Sequence, residues 1–180
     1  FRCHDSMDIM SFAIPGIYIA DSTSLNLNIT PEGIMTTEMK SPRIAYREQY
    51  MKGVNVAIDN RNDKITGELN CNEIRAASMM LMDSRFQILA EDNHLGAAFS
   101  YENTGELLNR GEFVLVSDFD RKDEKLDIDL ELLPTSLHLN SREWNIEPSK
   151  IHISGKDIDV ESLELTSAEQ RIRLAGKASA

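Results

Sequence analysis

Residues 126–139 read LDIDLELLPTSLHL. Leu126, Ile128, Leu130 and Leu132 alternate with Asp127, Asp129 and Glu131. A period of two marks a β-strand, whose successive side chains point to opposite faces. At about 3.3 Å per residue, Leu126 to Leu132 spans about 20 Å. A slip of one residue would carry three carboxylates into the dry layer, so the register is tightly specified. Leu137 and Leu139 resume the alternation after Pro134. The segment thus has an acidic face directed to water and a dry face that needs a cover.

The same alternation recurs along the chain. It is present at Leu25–Ile29, Val54–Ile58, Ile151 and Ile153, Ile158 and Val160, Leu163 and Leu165, and Ile172 and Leu174. Polar turns separate these runs, among them Thr30-Pro31-Glu32-Gly33, Asp59 to Asp63, and Ser154-Gly155-Lys156. Short strands joined by short turns predict an antiparallel meander. Two stretches compete as helices. One starts at Ser41-Pro42 and places Ile44, Arg47 and Met51 on a face, with Gly53 past its end. The other runs from Asn72 to Met82, with Ile74, Ala77 and Leu81 at helical spacing. Neither alters the expectation of an all-β chain, and no linker or fixed-length repeat divides residues 1–180.

The chain has 180 residues and a formal net charge of -11. A surface this acidic, with no basic run, argues against nucleic acid as a partner and against a polybasic membrane anchor. No apolar run reaches the roughly 18 residues that cross a bilayer. The first residues, FRCHDSMDIM, carry Asp5 and Asp8 and lack a starting Met. They read as the start of an internal piece of a longer chain rather than as a signal peptide. Cys3 and Cys71 are the two cysteines, and their spacing leaves a single disulfide open.

Little in the sequence points to catalysis or a metal. The pairs Asp118/Asp120 and Asp127/Asp129 could face a hard cation. No calcium-loop pattern surrounds either pair, and a solvated strand face explains them as well. His138 and His152 alternate with aliphatic residues and belong with the acids on the wet face. There is no metal-ligand spacing of Cys or His, no nucleophile elbow and no glycine-rich phosphate loop. The expectation is a protein without enzymatic activity, metal or cofactor. Trp144 reads as the anchor of a hairpin.

Two covers suit the dry face. A second sheet would make a β-sandwich, whose binding site for protein or glycan would sit on its loops. A curved sheet would instead fold over its own apolar face and leave part of it available.

The C-terminal third is more specific. An alternating strand ends in Pro134-Thr135-Ser136-Leu137-His138-Leu139. Trp144, Ile146, Pro148, Ile151, Ile153, Leu163, Leu165, Ser167, Gln170, Ile172, Leu174, Gly176 and Ser179 then follow in order and spacing. Over residues 107–180 this resembles the TamB family, the translocation and assembly module subunits of the AsmA-like superfamily, as found in Bacteroidetes-type bacteria. Residues 1–106 fit only as alternating strands. The resemblance implies an elongated, curved antiparallel sheet, a sandwich-like β-taco or β-groove with an apolar concave face. It implies a single β-rich domain, residues 1–180, within a larger periplasmic protein anchored in the inner membrane. It also implies a role in outer-membrane biogenesis, in phospholipid transport between membranes and in protein translocation and assembly. The implied partners are phospholipid, adjacent segments of the same chain and, through other parts of the parent protein, an outer-membrane protein of the Omp85 type. The residues expected to line the lipid groove are Leu126, Ile128, Leu130, Leu132, Leu137, Leu139, Ile151, Ile153, Ile158, Val160, Leu163, Leu165, Ile172 and Leu174.

Overall fold

The computed structural model describes residues 16–76, 79–103, 108–122, 125–139 and 141–179. Among the described residues fourteen strands make one antiparallel sheet. They are β1 (Ile17–Ile19), β2 (Ser24–Ile29), β3 (Met35–Tyr46), β4 (Gln49–Asp59), β5 (Lys64–Ala76), β6 (Met79–Glu91) and β7 (His94–Asn103). They continue as β8 (Asn109–Lys122), β9 (Lys125–Leu132), β10 (Thr135–Leu139), β11 (Arg142–Ile146), β12 (Ser149–Ser154), β13 (Asp157–Thr166) and β14 (Arg171–Ser179). One 3-10 turn, Arg61–Asp63, joins β4 to β5.

Three pairs of strands are collinear, which leaves a plain up-and-down meander. Strands β1 and β2 both run along β3. Strands β9 and β10 both run along β8, and Leu133 N–H between them donates to Val114 O at 2.9 Å. Strands β11 and β12 lie along that line in one unbroken register, from Thr135↔Ile146 to Leu132↔Ser149. Fourteen strands less three gives eleven lines. At about 4.8 Å each, the ten steps between them carry the sheet about 48 Å. The chain exposes 12561 Å², against about 8,800 Å² for a compact monomer of its mass. An extended sheet with an uncovered face accounts for the excess.

The sheet bends along a line that crosses the strands. Ser41, Val54, Cys71, Ser84 and Tyr101 stand side by side on β3 to β7, and all are buried. Gly111 and Leu137 extend the row onto β8 and β10. Pairing lapses just beyond it, between Pro42 and Gly53 and between Asn72 and Asp83. Gly53 and Asp83 take left-handed backbone, φ 60 and 43. Glycine does so without a Cβ penalty, and aspartate tolerates it better than most residues. Pro42 has no N–H to lose. Small polar side chains satisfy carbonyl groups at this bend. Ser41 Oγ donates to Arg43 O at 3.0 Å, and Cys71 Sγ lies 3.1 Å from Glu73 O and 3.2 Å from Lys52 O. Groups left unpaired there would carry a desolvation cost.

The bend also shifts the phase of the alternation. Before it, Val54, Val56 and Ile58 share one side of β4; beyond it Tyr50 and Met51 are both half-buried, and Met51 pairs with Ile44 and Ile74. Likewise Leu69 and Cys71 give way to Ile74 on β5. Ile19, Ile44, Met51, Ile74 and Leu81 pair across β1 and β3 to β6. One residue per strand is consumed in turning the corner, so the apolar side continues around it. This corrects the two helical expectations. Ser41-Pro42 and Asn72–Met82 contain strand, with Ala77 and Ser78 outside the described residues. Ile44 pairs with Met51 and Ile74 with Leu81 across neighbouring strands, so the helical spacing that joined them in sequence spans a hairpin rather than two turns of helix.

A second bend lies on the C-terminal strands. Pro134 and Pro148 interrupt neighbouring strands at one level, and β13 bulges between Val160 and Leu163. Ser149 Oγ donates to Glu147 O at 3.0 Å beside it.

Candidate functional site

The register gathers the apolar residues onto one side of the sheet. Leu132, Leu130 and Ile128 pair with Leu115, Ser117 and Phe119 on β8 and with Ser149, Ile151 and Ile153 on β12. Ile151 and Ile153 pair with Val160 and Ile158, and Leu163 and Leu165 pair with Leu174 and Ile172. Leu137 pairs with Trp144, and Leu139 lies two residues beyond it on β10. The fourteen residues singled out from the sequence therefore lie along the dry side. Leu137 is completely buried, at 1 % exposure, whereas Leu126, Ile158, Ile172 and Leu174 are exposed.

Burial falls with distance from the bend. On β5 it runs from Cys71, buried, through half-buried Leu69 to Ile65, 47 % exposed. On β4 Val54 is buried, and Val56 and Ile58 are half-buried. On β2 Leu25, Leu27 and Ile29 are all exposed. A closed sandwich would bury both ends of each strand. The apolar side is thus covered at the bend and open where the strands end, in the manner of a trough.

The sequence reading missed the trough's N-terminal half, although Val54–Ile58 had shown its alternation. Ile65, Leu69, Phe86, Ile88, Leu95, Ala97, Phe99, Tyr101, Phe113, Leu115 and Phe119 share its side by register. Phe99, Tyr101 and Phe113 stack, with ring centroids 5.9, 6.3 and 6.5 Å apart. The available signal was the pair of runs Ala97-x-Phe99-x-Tyr101 and Phe113-x-Leu115-x-Ser117-x-Phe119. Small residues between them, Gly96, Ala98 and Ser100, weaken the apolar–polar contrast that reveals a period of two.

The opposite side is charged. Arg85 pairs with Glu68 at 2.7 Å, Lys64 with Glu91 at 2.8 Å and Lys177 with Asp159 at 2.7 Å, each across neighbouring strands. His152 contacts Asp129 at 2.7 Å and Asp127 at 3.3 Å. Asp127 faces the wet side, as its alternation requires, yet it is almost fully covered. His94 pairs with Asp118, and Arg121 N–H donates to Asp120 Oδ1 at 2.7 Å. Among the described residues no three His, Cys, Asp or Glu groups converge to hold a metal ion.

A concavity of about 800 Å³ lies mainly on the wet side, lined there by Thr36, Ala57, Thr66, Glu68, Gln87, Leu89, Ala98 and Val114. Hydrogen bonds from Asn70 and Arg85 hold the Glu68 carboxyl below its ordinary range. Arg61 does the same for Asp59 at its edge. Both acids are thus held ionised, which suits ion pairing rather than proton donation.

No protein-family model, curated protein or solved structure matches this chain.

Proposed function

We propose that this chain is a periplasmic section of a TamB-like protein, and that its trough shields phospholipid acyl chains in transit between membranes. The reading supplies no catalytic step and no cofactor. One observation carries it: an apolar side that continues across β2 to β9 and β12 to β14 and opens toward the strand ends. Each methylene kept from water is worth about 0.8 kcal/mol. A continuous lining meets that need at every point of a moving chain, without a pocket shaped for one ligand. Charged residues on the other side keep such a body soluble. The resemblance over residues 107–180 supports the same reading. On it, the ends of the sheet join adjacent segments of the parent chain, and contact with an Omp85-type protein belongs to other parts of that chain.

The test is site-specific photo-cross-linking in cells. A cross-linker at Ile128 or Leu130 should capture phospholipid, and one at Asp129 on the wet side should not. Equal capture from both sides, or none from Ile128 and Leu130, would sink the proposal.

A further inference from the structure

Between the bend and the open ends of the strands, the dry side carries one charged residue among the described residues. It is Arg121, on β8. Asp and Glu are absent from the same positions of β2 to β9 and β12 to β14 among the described residues. Arg121 pairs with Leu126 one level before the end of the β8–β9 pairing, which closes with Lys122↔Lys125, and follows Phe119 on the same side. It is exposed, and its guanidinium has no ion pair among the described residues. On the wet side some cations pair with acids across strands, as at Arg85–Glu68 and Arg171–Glu164; what sets Arg121 apart is its place on the dry side.

That arrangement is unusual in a chain of net charge -11, whose field repels anions over most of its surface. A lone guanidinium at the lip of an apolar trough can lay its stem along Leu126 while its head reaches water. Its planar donors match the two free oxygens of a phosphodiester. We propose that Arg121 is the headgroup-binding residue of the trough: it takes the phosphate of an anionic glycerophospholipid whose chains lie against Phe119, Leu126 and Ile128. The assignment rests on the acyl-chain reading above. It adds a preference among lipids, because a chain-only trough would not distinguish them by headgroup.

The experiment compares phosphatidylglycerol with diacylglycerol of the same chains, each dilute in neutral vesicles, and measures capture by a cross-linker at Ile128. The unaltered chain should prefer the phosphate-bearing lipid by about 1.4-fold to fivefold, the range of an exposed ion pair. The preference should fade as salt is raised. Arg121→Gln should abolish the preference and keep diacylglycerol capture, and Arg121→Lys should retain part of it. An undiminished preference in Arg121→Gln would overturn the role of Arg121 and leave the trough standing. Capture of neither lipid by the unaltered chain would overturn both. Binding of inorganic phosphate by the unaltered chain but not by Arg121→Gln, with no preference between the two lipids, would assign Arg121 to a free anion and overturn the lipid assignment.

Discussion

Tyr101 occupies the space that a side chain at Gly111 would need. The two residues pair across β7 and β8. A Cβ on Gly111 would stand 2.9 Å from the Tyr101 hydroxyl oxygen and 2.7 Å from Leu137 Cβ. The Tyr101 hydroxyl lies 3.5 Å from the His138 carbonyl oxygen, so the ring spans the bend from β7 toward β10.

Gly111→Ala should therefore destabilise the chain by about 1–3 kcal/mol, the usual cost of overpacking a tight site. Urea denaturation measures it. Tyr101→Ala is destabilising by itself, but in the double variant the two losses should sum to more than the total observed, because one clash is removed. Strict additivity would show that the two side chains do not compete for the space.

The bend at Gly53 makes a separate demand. Its φ of 60 is left-handed, and a Cβ there would meet Asn72 Nδ2 at 2.5 Å. Gly53→Ala should cost about 1–2 kcal/mol in backbone strain. Adding Asn72→Ala should relieve the contact but not the strain, so recovery in thermal melts should be partial.

Cys71 is a free thiol at the bend, and burial pushes its pKa up. A thiol reacts as its thiolate. Iodoacetamide at mildly alkaline pH should label Cys71 slowly in the folded chain and rapidly in urea. A Cys3→Ser background isolates the signal. Equal rates in both states would show that the bend does not close over the thiol.

Acid should weaken the β3–β5 corner. Lys52, 2.9 Å from Glu73, and the Tyr50 hydroxyl, 2.5 Å from it, hold the Glu73 carboxyl below its ordinary value of 4.5. A carboxyl with a lowered folded pKa stabilises the fold above its unfolded pKa. That contribution is lost as pH falls through the folded value. Melting temperature should thus be flat at neutral pH and fall below about pH 4.5. Glu73→Gln should lower the plateau and flatten the acidic slope, and an unchanged slope would remove Glu73 from the cause.

The C-terminal strands were legible because Leu126 to Leu132 and Ile151 to Leu174 alternate aliphatic residues with acids and other strongly polar ones. Contrast of that strength defines a side by itself. The central strands were less legible because Gly96, Ala98 and Ser100 contrast weakly with Ala97, Phe99 and Tyr101. The two helical readings failed at hairpins: Ile44 and Met51, and Ile74 and Leu81, are seven apart in sequence, as in two helical turns, but they are cross-strand partners on either side of a reversal of the chain.

Local chemistry alone determined that the chain is all-β, which side of the strongly alternating strands is dry, and that their other side carries the charge. Those follow from the two-residue repeat of the backbone, which needs no partner to be read. Only the tertiary structure decided how the dry sides of separate strands join. Pro42, Gly53, Asn72 and Asp83 are far apart in sequence, and the antiparallel register brings them to one level. Four local kinks thereby become a single bend, with the apolar side continuous around it and open at the strand ends. No single strand's sequence carries that alignment, because it is a property of the pairing between strands.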